Sequence, residues 1–334
     1  MKKFILITGI YITAVSVYAG TIVSVTAVGD MRFNGYIGDK IKAHGFEYPF
    51  KQVQGILSSA DIAYGNFECA ISSQDLAFEK KYVFKADPEM VKALTAAGFD
   101  IVDLANNHSG DYGEESFIET MRVFKEHGLL FSGAGMNIEE SRKPVIIERN
   151  GLVIAFLSYS NTLPDDFWAT KTSPGVTPAY LDYISADVGS AKMNADIVVV
   201  CYHGGDERSE RPKQSQIDIA HAAIDAGASL VLGHHPHVLQ GIEMYKGVPI
   251  IYSLGNFMFL SLAKQCYDSM IVTAQLSRKG IETLEVIPVR IGDACIVIPS
   301  DEHKMKILHT VQELSYELGT DMVIKDDSGY VLFP

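Results

Sequence analysis

The segment Gly233-His234-His235-Pro236-His237 places three of the chain's ten histidines within five positions. Neutral imidazole is a ligand for Zn, Fe, Mn or Ni, and a histidine cluster closing an apolar run is a common way to hold such an ion. The run here is Ala228-Ser229-Leu230-Val231-Leu232. Pro236 fixes its own φ and pushes His235 toward extended geometry. In an extended segment, residues two apart point the same way, so His235 and His237 would meet one ion; His234 is not counted with them. A His-rich surface loop is the alternative reading of these residues.

Other apolar runs end in ligand-type residues too: Asp30, then Asn66 and Glu68, then Asn107 and His108, then His203. Singly, each has an ordinary explanation. Asp30 suits a turn or a helix cap, Asn66 and Asn107 suit turns, and His203 suits the edge of a core. Glu68 resists that treatment, because a carboxylate in apolar surroundings is costly unless paired. Jointly they read as one metal site, since functional groups in α/β folds gather where strands end and connecting loops converge.

The elements that must position them alternate between strand and helix. Strands are expected at 21–28, 61–64, 99–104, 196–201, 228–232 and 248–253, each followed by one of the polar groups or a Gly turn. Helices are expected at 49–58, 88–97, 114–127 and 213–226; Pro88 at a start and Gly98, Gly128 and Gly227 at ends follow the usual asymmetry. Hairpins are expected at 144–158 around Arg149-Asn150-Gly151 and at 270–290 around Arg278-Lys279-Gly280. Residues 161–185, with Pro164, Pro174, Pro178 and the single Trp168, are the least regular stretch: a loop over the site or a plain connection. A helix at 304–318 sits in a tail that reads as peripheral.

Composition narrows the partners. A net charge of -13 argues against a nucleic-acid partner, whose phosphates need neutralising. It leaves an anionic substrate open, because a metal supplies local positive charge. Lys2 and Lys3, an apolar stretch from Phe4 to Tyr18 and small residues at Val17 and Ala19 resemble an export signal cleaved near Ala19; an uncleaved membrane anchor is the alternative. The expected organisation is a leader at 1–19, a domain at 20–300 and a C-terminal extension at 301–334 packing on it. Cys69, Cys201, Cys266 and Cys295 are too scattered for a dense disulfide framework and read as small buried hydrophobes; for Cys69 and Cys201, beside candidate site residues, a soft metal ligand is the alternative. His44, His127, His221, His303 and His309 lack ligand-like surroundings. Asp206 and Glu207 are either partners of His203 or a solvated turn. Asn256 is expected to shape the site floor without a catalytic role. The absence of a His-Glu-x-x-His helix argues against a zinc peptidase.

Several blocks, taken in order, resemble the CapA family of poly-γ-glutamate capsule proteins, relatives of the calcineurin-like metallophosphoesterases. They are Val28-Gly29-Asp30, Gly65-Asn66-Phe67-Glu68, Leu104 to Gly113 with Asn106-Asn107-His108, Tyr202-His203-Gly204-Gly205-Asp206-Glu207, Gly233 to Gln240, and Tyr252 to Phe257. The resemblance implies a four-layer α/β/β/α sandwich of metallophosphoesterase type, with the site at one edge of two mixed sheets. It also implies roles: Asp30 for a first metal, Glu68 with Asn66 for the bridging region, Asn107 for a second metal, and His203, His235 and His237 to complete the ligands. His108 would lie over the substrate as acid or charge stabiliser, oriented by Asp111. The ligand mix suits one or two divalent ions of Mn, Fe or Zn.

Two departures from the phosphoesterase pattern and one from the CapA pattern bear on function. Asp-x-His becomes Asp30-Met31-Arg32, Gly-Asp becomes Gly65-Asn66, and the Trp that often follows the fourth-block histidine is Gly204, which implies a more open pocket. Arg32 would repel a metal or bind an anionic substrate. The resemblance thus implies an exported metal-dependent hydrolase acting on a phosphoester or on another bond of an envelope polymer such as poly-γ-glutamate. A γ-glutamyl amide is one such bond. The alternative is a non-catalytic metal-binding factor in capsule assembly, anchoring or export, working with the capsule machinery. Oligomeric state is not readable.

Overall fold

The computed structural model describes residues 21–261 and 263–333, so the expected leader at 1–19 lies outside the described residues. In chain order the first strands are β1 (Val23–Met31), β2 (Ile62–Phe67), β3 (Ile101–Asp103), β4 (Leu130–Ser132), β5 (Val145–Arg149), β6 (Leu152–Ser160), β7 (Ile197–His203) and β8 (Leu230–His234). They continue as β9 (Ile242–Tyr245), β10 (Val248–Ile251), β11 (Asn256–Met258), β12 (Asp268–Ser277), β13 (Gly280–Ile291), β14 (Ile296–Val297), β15 (Met322–Lys325) and β16 (Ser328–Val331). The helices of six or more residues are α1 (Tyr36–His44), α2 (Gln54–Ser59), α3 (Val91–Ala97), α4 (Gly113–Glu126), α5 (Leu181–Lys192), α6 (Gln214–Asp225) and α7 (Asp301–Glu317).

The strands form a ten-stranded sheet, in the order β15-β16-β13-β12-β1-β2-β3-β4 with β11 on β1 and β14 on β13, and a six-stranded sheet, β9-β10-β8-β7-β6-β5. Both are mixed: β1 to β4 run parallel, as do β6, β7, β8 and β10, whereas the two expected hairpins, β5–β6 and β12–β13, are antiparallel.

Period-two alternation assigns every strand two faces. Val23, Val25 and Ala27 of β1, Ile62 and Tyr64 of β2, Ile197, Val199 and Cys201 of β7, and Leu230 and Leu232 of β8 share one apolar layer between the sheets. Val28, Ala63 and Val102 turn the other way, against Ile37 of α1, Leu57 of α2, Leu94 of α3 and Phe124 of α4. Val198, Val200 and Val231 turn outward from the second sheet onto Ile184 and Val188 of α5 and Ile219 and Ala223 of α6. The result is the four-layer α/β/β/α sandwich. Each fully buried Val, Ile or Leu in these layers contributes about 1.5–3 kcal/mol.

Local differences from the sequence reading have physical reasons. The expected helix at 49–58 is split into a 3-10 turn at Tyr48–Phe50 and the short α2, and α3 is likewise preceded by a 3-10 turn at Pro88–Met90. Helix α1 carries Gly38 and two lysines and was missed, although Ile37 and Ile41 bury its inner face. The tail is not peripheral: Ile307, Leu308 and Val311 of α7 lie in the layer between the sheets, and β16 pairs with β13. None of the four cysteines is disulfide-bonded; Cys69, Cys201 and Cys266 are buried and Cys295 is half-buried. Among the described residues no helix is long and apolar enough to cross a membrane.

Candidate metal centre and adjoining pocket

The inward alternation that builds the middle layer ends in polar groups. Continuing Ile62 and Tyr64 by two gives Asn66; continuing Val199 and Cys201 gives His203; continuing Leu230 and Leu232 gives His234. Strand β1 breaks this rule. Its pairing with β2 shifts register between Val28 and Asp30, so Gly29 is an extra, bulged residue. Without the bulge Asp30 would share the helix-facing side of Val28. With it Asp30 turns inward and Met31 turns out. A Cβ on Gly29 would stand 1.9 Å from the Gly255 carbonyl oxygen, and one on Gly233 would stand 2.1 Å from that of Tyr252. Glycine precedes both ligand segments because a neighbouring backbone occupies the side-chain space.

These ends bring Asp30, Glu68, His203, His235 and His237 together. Asp30, Glu68 and His203 offer donor atoms within 4.8 Å of one another, and so do Glu68, His235 and His237. All five are buried or nearly so. Glu68 Oε1 is buried without a hydrogen-bond partner among the described residues and lies 3.6 Å from His203 Nε2, 3.8 Å from His237 Nε2 and 3.9 Å from His108 Nε2. A buried, unsatisfied carboxylate oxygen facing three imidazole nitrogens fits a cation-binding donor set. Asn107 joins it: Oδ1 lies 2.8 Å from His203 Nε2.

His235 and His237 converge by a different route from the one expected. Strand β8 ends at His234, and His235 and His237 take φ of 97° and 59°. A tight turn with two left-handed residues, not an extended strand, points their rings inward, with centroids 5.8 Å apart. Such backbone strain is typical of functional sites. His234 stays on the strand beneath the centre; Nδ1 lies 3.2 Å from Asp30 Oδ1 and Nε2 lies 3.0 Å from Tyr64 Oη.

Asn66 reaches the cluster, but its amide is turned. The backbone N–H of His108 donates to Asn106 Oδ1 at 3.1 Å, which leaves the Asn106 amide nitrogen to donate to Asn66 Oδ1 at 3.0 Å. Asn66 Nδ2 therefore faces the centre, donating to Asp30 Oδ1 at 2.8 Å and lying 3.1 Å from His203 Nδ1. In this orientation Asn66 presents a donor, which corrects the expectation of a ligand oxygen there. Asn106 was missed by sequence reasoning, though it sits inside the Asn-Asn-His block. Asn256 also does more than shape the floor: Oδ1 lies 2.9 Å from His237 Nδ1.

Burial sets the electrostatics. It pulls His235 down to about 3 and drives His203 well below its ordinary value, so both rings are neutral, the ligand form. Burial also opposes charge on His237, but Glu68 and Asp30 outweigh it and hold that ring up at about 9. Asp30 is buried too, yet hydrogen bonds from His234 and His237 keep its carboxyl well below the usual range. Burial pushes Glu68 well above its own.

A pocket of about 240 Å³ opens beside this cluster, lined by Arg32, Tyr82, Phe84, His108, Glu207, Arg208, His237 and Phe259 among others. His108 Nδ1 lies 2.7 Å from Asp111 Oδ2, which fixes the ring, and its face stacks on Phe84 with centroids 4.1 Å apart. Burial lowers His108 to about 4 despite Asp111. The Arg32 guanidinium sits in the corner made by Phe84 and Phe259, 4.1 and 4.4 Å from ring centroids that are themselves 5.5 Å apart and nearly perpendicular. It donates to Leu260 O at 2.6 Å and to Asn34 Oδ1 at 3.0 Å. Arg32 also lines the pocket, and guanidinium N–H groups are the kind that recognise a carboxylate or phosphate. Phe84 and Phe259 carry no motif that would have revealed them.

Gly204 does not widen the site. A Cβ there would stand 1.7 Å from Asn161 Oδ1, so the Asn161 side chain fills the space. The irregular stretch after β6 thus touches the site at its first residue, and the Asn161 N–H donates to His203 O at 3.2 Å. Of the turn after β7, Asp206 pairs with Lys213 at 2.9 Å on the surface, while Glu207 lines the pocket.

Residues 24–261 match the family model described as bacterial capsule synthesis protein PGA_cap. The chain is 33% identical over 316 residues to the PGA biosynthesis protein CapA of Bacillus subtilis (strain 168), covering 93% of this chain and 83% of that protein. It is 35% identical over 278 residues to the capsule biosynthesis protein CapA of Bacillus anthracis, covering 81% of this chain and 68% of that one. Among solved structures, the NAD nucleotidase NadN of Haemophilus influenzae superposes with a TM-score of 0.48 at 12% identity, over 89% of this chain and 56% of that one.

Proposed function

The chain belongs to the bacterial capsule synthesis family PGA_cap, and from that footing we propose that it is an exported, metal-dependent hydrolase that cleaves a bond in an anionic envelope polymer such as capsular poly-γ-glutamate. The observation that carries this reading is the unpartnered Glu68 Oε1 among the imidazoles of His203, His237 and His108, opening onto a pocket with Arg32.

Asp30, Glu68, Asn107, His203, His235 and His237 would hold one or two divalent ions of Mn, Fe or Zn, which supply electrophilic activation and neutralise charge when bound. Asn66 donates to Asp30 and orients it. Arg32 presents its N–H groups to an oxyanion of the substrate, and Phe84 and Phe259 pack against the guanidinium and hold it at the pocket wall. Asp111 holds Nδ1 of His108, leaving Nε2 to deliver a proton to the leaving group. The ring is neutral in the free site, so it loads its proton as the anionic substrate arrives beside it and favours the charged form.

The test uses the chain lacking residues 1–19. Metal content is measured by elemental analysis, and hydrolysis is followed on a model phosphodiester and on poly-γ-glutamate with Mn²⁺. Stoichiometric metal and turnover are expected, with both lost in His235→Ala. Arg32→Met should raise KM by about tenfold or more while retaining metal. A chain that binds metal and polymer but turns over neither substrate would instead be the non-catalytic assembly factor. A chain that binds no metal would refute the reading altogether.

A further inference from the structure

We propose that Lys80 is a positioning residue of this site: a single ammonium group that fixes both the Asn107–His108 peptide and the Asp111 carboxylate. The inference rests on the reading of His108 as proton donor and Asn107 as ligand, and it adds a residue from a segment with no other assigned role.

Residues 72–84 form an irregular loop whose first residues, Ser72 and Ser73, donate to Glu119 of α4. Three lysines lie on or just after it, and they behave differently. Lys81 reaches the exposed Tyr82 ring, and Lys85 pairs with exposed Asp75 at 2.7 Å. Lys80 turns inward, its side chain only 18% exposed, and its Nζ stands 2.5 Å from Oδ1 of the wholly buried Asp111. The same ammonium donates to the main-chain oxygen of Asn107 and lies 5.2 Å from the Phe167 ring centroid.

Burying an ammonium is costly unless it is paired, and solvation alone would turn Lys80 outward. Its two partners explain the inward turn and define what it does. Asp111 uses Oδ2 for His108 Nδ1 and for the Phe84 N–H, both at 2.7 Å, so Oδ1 depends on Lys80 for compensation. Without that charge, the buried carboxylate would lose its cationic partner at Oδ1 and be free to rotate, and His108 would lose its fixed acceptor. The Asn107 carbonyl grip matters separately. The peptide it anchors carries Asn107 Oδ1, 2.8 Å from His203 Nε2, on one side and the His108 ring on the other. Lys80 therefore sets a candidate ligand and the candidate acid together, without touching substrate. The loop that carries Lys80 also delivers Tyr82 and Phe84 to the pocket wall.

The test compares Lys80→Met, which keeps length but not charge, with Lys80→Arg, in the chain lacking residues 1–19. Mn²⁺ affinity is read by electron paramagnetic resonance, and the His108 ring nitrogens by ¹⁵N chemical shift. Lys80→Met is expected to fold, to bind Mn²⁺ about 10–100-fold more weakly and to lose the hydrogen-bonded Nδ1 signature. Lys80→Arg is expected to recover both. If Lys80→Met does not fold, the same two readings on Lys80→Gln decide. A folded Lys80→Met or Lys80→Gln with unchanged affinity and unchanged ring shifts overturns the proposal. If the unaltered chain binds no Mn²⁺, the metal reading fails and the ring shifts alone judge Lys80.

Discussion

Oε1 of Glu68 stands 3.6 Å from Nε2 of His203. That is beyond hydrogen-bond reach, yet it matches the roughly 3.4 Å that separates two ligands each about 2.1 Å from one tetrahedral ion. Glu68→Gln keeps the shape and removes the charge. Its divalent-ion affinity is expected to fall at least about tenfold. Chelation with EDTA should lower the melting temperature of the unaltered chain and leave that of Glu68→Gln nearly unmoved, because a ligand that binds only the folded state stabilises it. Equal shifts in both would show that Glu68 holds no metal.

His108 is placed over the pocket and tied to Asp111, not enclosed by the donor set. His108→Asn is expected to lower turnover by about 10²–10⁴-fold while metal content stays at the unaltered level. Loss of metal in parallel with turnover would make His108 a ligand instead of an acid.

The same residue gives a pH signature of stability. Burial holds the folded His108 at about 4, against an ordinary value of 6.5. Above pH 6.5 the ring is neutral in both states and contributes no pH dependence. Between 6.5 and 4 the unfolded chain takes the proton first, so stability falls as pH falls; below about 4 the effect is complete. The difference corresponds to roughly 3 kcal/mol as an order of magnitude. On EDTA-treated protein, urea unfolding of His108→Asn should lose that much less stability than the unaltered chain between pH 7 and pH 4. Parallel curves for the two proteins would refute the assignment.

Gly233 tests the backbone argument. A Cβ there meets the Tyr252 carbonyl at 2.1 Å and the Tyr202 hydroxyl at 2.6 Å, both in buried surroundings. Gly233→Ala should destabilise the fold by about 1–3 kcal/mol and weaken metal binding, since the strand carrying the histidines must move. Gly247, with φ 79° and nothing within 4 Å of its added Cβ, lies in the next hairpin turn and serves as the control. Gly247→Ala should cost only the strain of its left-handed backbone and leave metal binding intact. Loss of metal in Gly247→Ala but not in Gly233→Ala would contradict the argument.

Much of the sandwich was legible because alternation is a local property. Ile197, Val199 and Cys201 announce an inward face, and His203 continues it by phase alone. Leu230 and Leu232 do the same for His234. Helices with a capping glycine and an apolar face, such as α3 and α4, were legible for the same reason. Helix α1 was not, because its buried residues are few and its neighbours polar. The tail was misjudged because helix 301–317 gains its apolar partners only from strands distant in the chain.

The sequence by itself picked out the candidate site residues: the histidine cluster, Asp30, Glu68, Asn107 and the His108–Asp111 pair, at or just after the ends of apolar runs, in an order that marks a family. Only the tertiary structure decided how they are placed. The Gly29 bulge swings Asp30 from one face of β1 to the other, and two left-handed residues aim His235 and His237. A hydrogen-bond chain from the His108 backbone through Asn106 turns the Asn66 amide nitrogen toward the centre. Asn161, from another strand end, fills the space that Gly204 had implied was open. Each of these depends on which backbone or side chain arrives from a remote segment, and residue type and spacing hold no record of that arrival.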